Sequence, residues 1–343
     1  MAVYDEILGQ EKLINHLKKS VDQGKVSNAY IISGDKFSGK KMIARAFAAS
    51  IQCENPVDGE ACMECHSCKM SLSNNNPDIR WIFREAKENK DGTVKKAKEI
   101  QVDTIREQIN NDIVVKPYYC KKKIYIIDEA ECLNTASQNA LLKTMEEPPE
   151  YGVIILLTSN ENALLQTILS RSISLEVAAI KDKIIKEYLM SKNEIPDYAA
   201  DVLVSFARGN LGRAVELSNS RNFNDMKNYL VSTMLSLHEK NMAEISNMAK
   251  KTSEFKDDIS YYFELMIMWF RDILIMKSGS KKDRLIFSDE SSEIAEFARA
   301  YSYRSIEKIL IAINDAKSQL ALNVTFETVF KVLYMTIRDY YQG

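Results

Sequence analysis

The sequence predicts an α/β protein whose first half is a doubly wound parallel sheet and whose remainder is helical. Three observations carry this. Apolar, β-branched runs at 29–32, 124–127 and 153–158 alternate with helix-period segments, the pattern of parallel strands covered on both faces. A glycine loop, Gly34-Asp35-Lys36-Phe37-Ser38-Gly39-Lys40-Lys41, stands between the first run and a helix, the context of a phosphate-binding loop. After about residue 178 the strand signals stop.

Taken in order, Leu13, Ile14, Leu17 and Val21 share one face of an amphipathic helix over 10–22. Ala29-Tyr30-Ile31-Ile32 is a strand feeding the glycine loop, and Ile43, Ala44, Phe47, Ala48 and Ile51 mark the helix after it. A Cys-rich insertion at 53–68 carries the turn signals Asn55-Pro56 and Asp58-Gly59. Residues 79–83 are strand-like, and a polar, Lys-rich excursion through Asp91-Gly92 follows. Ile100, Ile105 and Ile109 among charges suit a helix over 100–109. The run 124–127 ends in Asp128-Glu129, and a helix over 134–147 stops at Pro148-Pro149, because proline cannot continue it. A fifth strand is expected at 173–177.

Beyond it, 180–220 suggests a small helical unit. Stripes at Phe263, Ile267, Phe270 and Leu274, at Ile306, Ile309, Leu310, Ile313 and Leu320, and at Phe326, Val329, Phe330, Leu333 and Ile337 read as bundle core or subunit interface rather than a cofactor site. The expected domains are therefore 1–178, 179–220 and 221–343.

A chain of 343 residues is too long for one ordinary core. Forty-six basic against 48 acidic residues leave a net charge of −2, which removes the bulk-electrostatic case for tight, nonspecific nucleic-acid binding. No apolar run approaches the roughly 20 residues that span a bilayer, and the first residues lack the basic and apolar regions of a signal peptide. A cytoplasmic protein without membrane contact is expected.

Three constellations carry chemistry. In a working phosphate loop, backbone N–H groups and a lysine, here Lys40, hold the phosphates, and a final Ser or Thr hydroxyl holds Mg²⁺. That last position is Lys41, whose ammonium has donors and no lone pair. Asp128-Glu129 stands where nucleotide hydrolases keep a metal-binding Asp and a base, and Thr158-Ser159-Asn160 ends the next strand where a γ-phosphate could be sensed. Cys53-x8-Cys62-x2-Cys65-x2-Cys68 offers four thiolates within sixteen residues, enough for a closed, structural zinc site, with a disulfide pair as the alternative. His66 reads as a bystander, Cys120 and Cys132 as ordinary buried thiols. The lysines at 95, 96 and 98 and at 121–123 read as solvated faces, with DNA phosphate contact as the alternative.

Residues 9–34, 53–68, 124–171 and 209–214 together resemble the clamp-loader branch of the AAA+ family, whose bacterial members include the DNA polymerase III gamma/tau and delta-prime subunits. The resemblance rests on the cysteine module, on Leu141-Leu142-Lys143-Thr144-Met145-Glu146-Glu147-Pro148-Pro149, on Thr167-Ile168-Leu169-Ser170-Arg171-Ser172, and on Gly209-Asn210-Leu211-Gly212-Arg213-Ala214. It implies an AAA+-type parallel sheet domain with a zinc module, then a small helical lid and an all-α collar in which Asp272 resembles a family position. Arg213 corresponds to the lid arginine that approaches nucleotide. Arg171 corresponds to an arginine that reaches across an interface to the γ-phosphate of a neighbouring subunit. The family has glycine at the place of Phe37, Ser or Thr at Lys41, and cysteine at Ser172.

A damaged loop beside an intact Arg171 implies a non-motor, delta-prime type of subunit. Its partners would be delta and gamma/tau subunits, a sliding clamp, and primed DNA within a hetero-oligomer. The cofactor expected is structural zinc on Cys53, Cys62, Cys65 and Cys68. The nucleotide site of Gly34, Gly39, Lys40, Asp128, Glu129, Thr158 and Arg213 is expected to be degenerate and empty, without ATP or ADP binding and without ATPase activity of its own. The alternatives are an active gamma/tau-type ATPase, favoured by Lys40 and Asp128-Glu129, and a zinc-dependent nucleic-acid binder.

Overall fold

The computed structural model describes residues 3–88, 94–279, 285–322 and 324–341. It forms two compact units, Met1–Ile184 with Gly209–Arg213, and Ile185–Arg208 with Ala214–Gly343.

The first unit runs α1 (Glu11–Asp22), β1 (Ala29–Ser33), α2 (Lys40–Gln52), α3 (His66–Leu72), β2 (Ile79–Ile82), β3 (Ala86–Glu88), β4 (Val94–Lys96), α4 (Val102–Ile105), β5 (Lys123–Ile127), α5 (Thr135–Glu146), β6 (Gly152–Thr158), α6 (Gln166–Leu169) and β7 (Ile173–Glu176). Five strands form a parallel sheet in the order β2-β5-β6-β1-β7. Its three central strands, β5, β6 and β1, are buried on both faces because both are covered, whereas the edge strands β2 and β7 are only partly buried. Ile31, Tyr125, Ile127, Ile154 and Leu156 pack with Ile105, Leu141 and Ile168. Tyr30, Ile32, Ile124, Ile126, Ile155 and Leu157 pack with Leu13, Leu17, Ile43 and Phe47. The alternation of neighbouring residues between these two groups is the period of two that a strand imposes.

Two of the elements expected in this unit differ in the structure. The helix read over 100–109 is α-helical only at Val102–Ile105 and continues as a π-helix at Arg106–Asn110. The wider turn, closed by Asn111 N–H on the Arg106 carbonyl, keeps Ile105, Ile109 and Ile113, each four residues apart, buried together. The polar excursion holds an antiparallel pair, β3 with β4; the Asp91-Gly92 turn lies outside the described residues.

The second unit is helical among the described residues. It contains α8 (Asp197–Ala207), α10 (Arg221–Ser236), α11 (Met242–Thr252), α12 (Ile259–Lys277), α13 (Ser291–Ala300), α14 (Tyr303–Ala321) and α15 (Phe326–Asp339), while α7 (Asp182–Lys192) and α9 (Leu211–Asn219) each begin in the first unit. The buried face of α12 is wider than the sequence stripe, taking in Tyr262, Met266, Trp269 and Ile273 beside Phe263 and Phe270. Several polar groups in this core are hydrogen-bonded to one another or to backbone. The Tyr334 hydroxyl lies 2.8 Å from both Tyr262 and Thr252 hydroxyls. Asp272, fully buried, accepts from the N–H groups of Ile286 (2.7 Å) and Phe287 (2.8 Å), so burial raises its carboxyl's pKa while these bonds oppose the rise.

Candidate functional site

Sheet register assembles the site. Ser33 pairs with Thr158 and Ile127 with Leu156, so β5 ends two residues short of β1 and β6, and Asp128 and Glu129 after it come level with the start of the loop after β1. Gly34 N–H continues the ladder to the Thr158 carbonyl (3.1 Å). Gly39 caps α2 at φ 92°, a left-handed conformation that glycine adopts without strain. Phe37 also has a positive φ, 65°, and its ring is mostly exposed. The 209–213 segment closes on this loop. Asn210 Nδ2 donates to the Lys36 carbonyl (2.6 Å), its Oδ1 accepts from Arg213 N–H, and a Cβ on Gly212 would stand 2.2 Å from the Phe37 carbonyl oxygen. A cavity of about 500 Å³ remains, lined among others by Gly39, Lys40, Lys41, Asp128 and Glu129.

Cations already occupy its acids. Lys41 Nζ lies 2.8 Å from Asp128 Oδ2 and 5.8 Å from the centre of the Phe83 ring. Arg84 grips Glu129 through two bonds of 2.8 Å, and this contact raises the guanidinium's pKa further. Glu131 accepts from Ser159 N–H (3.2 Å) and Oγ (2.5 Å). Burial pushes its carboxyl up, but the Ser159 bonds outweigh it and the net shift is down. Lys40 folds back so that Nζ donates to the carbonyls of Gly34 (2.5 Å) and Asp35 (2.7 Å). Burial lowers its pKa against the pull of Glu131 and Asp128.

Of the expected nucleotide residues, Gly39, Lys40, Asp128 and Glu129 line the cavity; Gly34, Thr158 and Arg213 are not among its described lining. The Thr158 hydroxyl is buried and accepts from Asn160 N–H (3.0 Å). Arg171 follows α6, outside the cavity lining, with Nη2 3.1 Å from Glu146 and Nη1 donating to the Thr167 carbonyl (3.2 Å) while remaining exposed. Sequence reading missed Arg84, Glu131 and Asn210. The signal for Arg84 is register. Ile82 pairs with Ile127, so residues two further on, Arg84 and Glu129, are brought side by side.

The four cysteines do converge. The Sγ atoms of Cys53, Cys62, Cys65 and Cys68 lie within 4.8 Å of one another, near the roughly 3.8 Å edge of a tetrahedron with 2.3 Å metal–sulfur bonds. The sulfurs already accept backbone bonds, Cys53 from Cys62 N–H (3.2 Å) and Cys62 from Cys65 N–H (3.4 Å). N–H groups of Cys65 and Glu64 lower the Cys62 thiol to about 7, whereas burial raises Cys53 and Cys68. The donor set can hold a metal ion, with no protein-free corner needed for catalysis. His66 stands apart from it, edge-on to Tyr119. Lys123 is not on a solvated face: only 2% of its side chain is exposed, and Nζ pairs with Asp112 (2.9 Å).

A parallel five-stranded sheet, a glycine loop ahead of α2, acids after β5 and a following helical region define an AAA+-type protein. A family model described as DNA polymerase III, delta subunit, matches residues 9–181, just over half of the 343, and the chain belongs to that clamp-loader family. It is 26% identical over 335 residues to DNA polymerase III subunit delta' of Bacillus subtilis, covering 96% of each chain. It is also 30% identical over 298 residues to DNA polymerase III subunit tau of the same organism, covering 80% of this chain and 50% of that one. Among solved structures, a gamma subunit-related protein of Thermotoga maritima aligns at TM-score 0.45 and 16% identity, over 96% of this chain and 99% of that one. Among the described residues, no helix is long and apolar enough to cross a membrane.

Proposed function

We propose that this chain is the non-motor, delta-prime-type subunit of a clamp loader and that its catalytic contribution is made to another subunit's ATP. The observation that carries this is the pairing of Asp128 with Lys41 and of Glu129 with Arg84, beside an exposed Arg171. Asp128 already shares one carboxylate oxygen with the Lys41 ammonium, which weakens its draw on Mg²⁺, and both oxygens of Glu129 are taken up by the Arg84 guanidinium. Among the described residues Arg171 has a half-exposed Glu146 and a backbone carbonyl to leave, which makes it available to a phosphate presented by a neighbour. Trans-acting arginines of this kind contribute about 10³–10⁵ in rate to phosphoryl transfer.

In this reading the partners are delta and gamma/tau subunits, a sliding clamp and primed DNA. The first domain ends near residue 178, with a lid over 179–220 and a collar from 221. The four cysteines hold a structural zinc. The test is DNA-stimulated ATPase of the reconstituted complex with Arg171→Ala. A large fall at unchanged assembly is expected, and an unchanged rate sinks the reading. The retained Lys40 and the open cavity favour a second reading, an active motor subunit; Mg²⁺-dependent ATP turnover by this chain alone, abolished by Lys40→Ala, selects it.

A further inference from the structure

The magnesium ion on which nucleotide sites of this fold class depend does not fit these residues. The hydroxyl that should hold it is absent, and the carboxylate that should face it already bears the Lys41 ammonium at 2.8 Å. Apart from Phe37, which stands on the cavity wall where the family has glycine, the rest of the phosphate frame is in place. Helix α2, thirteen residues long, opens at Gly39 into the cavity, and among the described residues Lys40 bonds to two backbone carbonyls. The Ser38 hydroxyl, on the cavity wall, is buried without a hydrogen-bond partner. Asp128, Glu129 and Glu131 each have a cation or hydroxyl bonded to them, so an entering anion does not face a bare carboxylate.

We propose that the loop binds the polyphosphate of a nucleoside di- or triphosphate without a divalent cation, with Lys41 as a built-in counter-ion, and holds it without hydrolysis. Lys41 sits in the first turn of α2, next to Lys40, where its charge reaches both Asp128 and the phosphate position. A phosphate entering the cavity exchanges the Lys40–carbonyl bonds for bonds between two ions, so no buried charge is left unpaired. Magnesium, by contrast, would have to displace an ammonium from Asp128 and would gain no hydroxyl ligand in return. This inference rests on the non-motor reading, yet the two fail separately, because Arg171 is tested in the complex and this site on the isolated full chain.

The test is calorimetric titration of the full-length protein with ADP and ATP, in MgCl₂ and in EDTA. Dissociation constants within about twofold of each other in the two buffers are expected. Lys41→Thr should convert the site, binding at least about tenfold tighter in magnesium than in EDTA, and Lys41→Met should weaken binding about tenfold in both. Wild-type binding that is lost in EDTA overturns the proposal, as does the absence of binding in either buffer. Circular dichroism of each variant guards against misfolding as the cause, and Lys41→Arg, which keeps the charge, should keep metal-independent binding.

Discussion

Lys41 Nζ lies 2.8 Å from Oδ2 of Asp128, so the residue that ends the phosphate-loop motif is itself the cation bonded to the first acid after β5. Arg84 does the same for Glu129. The acids are retained and the charge balance is retained; what has changed is that both positive partners are covalently part of the chain.

These two pairs differ in exposure, and so in what they contribute to stability. The Lys41 side chain is 58% exposed, and such ion pairs are worth roughly 0–1 kcal/mol. Lys41→Ala should therefore lower unfolding free energy by less than about 1 kcal/mol in urea titration. The Arg84–Glu129 fork is more enclosed and bidentate, and Arg84→Ala should cost about 1–2 kcal/mol. If Lys41→Ala proved the more damaging, Lys41 would be a structural residue and its presence in the loop would need no functional account.

Phe37 stands at φ 65° where the loop turns into Gly39. A non-glycine residue in that region carries strain of about 1–2 kcal/mol, partly offset because glycine loses more freedom on folding, by about 0.5–1 kcal/mol. Phe37→Gly should raise stability by about 0.5 kcal/mol and should widen access to the phosphate position. A loss above about 1 kcal/mol would show that the ring's contacts, rather than the backbone, govern this turn.

The sheet was legible because its central strands are buried on both faces and so spell themselves as nearly unbroken apolar runs. The cysteine cluster was legible because its ligands are local, sixteen residues holding all four sulfurs. Arg84 was not, since nothing near it in sequence names Glu129; only the β2–β5 register joins them. Lys123 misled for a related reason. Three consecutive lysines suggest a wet face, but the third begins β5, a strand buried on both faces, and its ammonium is taken up by Asp112. The π-turn at Arg106–Asn110 preserves a spacing of four between isoleucines, a pattern shared with the α-helix read there.

The four-sulfur cluster predicts a metal content. Freshly purified protein should carry one zinc per chain by elemental analysis, lost with Cys65→Ser and kept with Cys120→Ser or Cys132→Ser. Removing the metal with a chelator should lower the midpoint of thermal unfolding, because a structural site contributes its binding free energy to the fold. Protein purified under reducing conditions without zinc, yet unchanged in stability by chelation, would return the cysteines to the role of buried thiols.

Asp112 gives a pH-dependent prediction. Its carboxylate takes the ammonium of the buried Lys123 (2.9 Å), the hydroxyl of Tyr125 (2.8 Å) and the guanidinium of Arg80 (3.0 Å). Burial pushes its pKa up, but the bonds from Lys123 and Tyr125 and the nearby positive charges win, and the net shift is down. A depressed carboxyl contributes stability that is full above its unfolded value, about 3.9, and is lost as pH falls through the lower, folded value. Asp112→Asn leaves the Lys123 ammonium buried without its counter-ion, and breaking a buried pair in this way costs about 3–5 kcal/mol. Urea unfolding at neutral pH should therefore show the variant less stable by about 3 kcal/mol, with the gap from wild type narrowing below about pH 4. A gap that stays constant through that range would mean that Asp112 acts by shape and not by charge. A gap under about 1 kcal/mol at neutral pH would mean that Lys123 finds enough compensation in the carbonyls of Asp112 and Val115, to which it also donates.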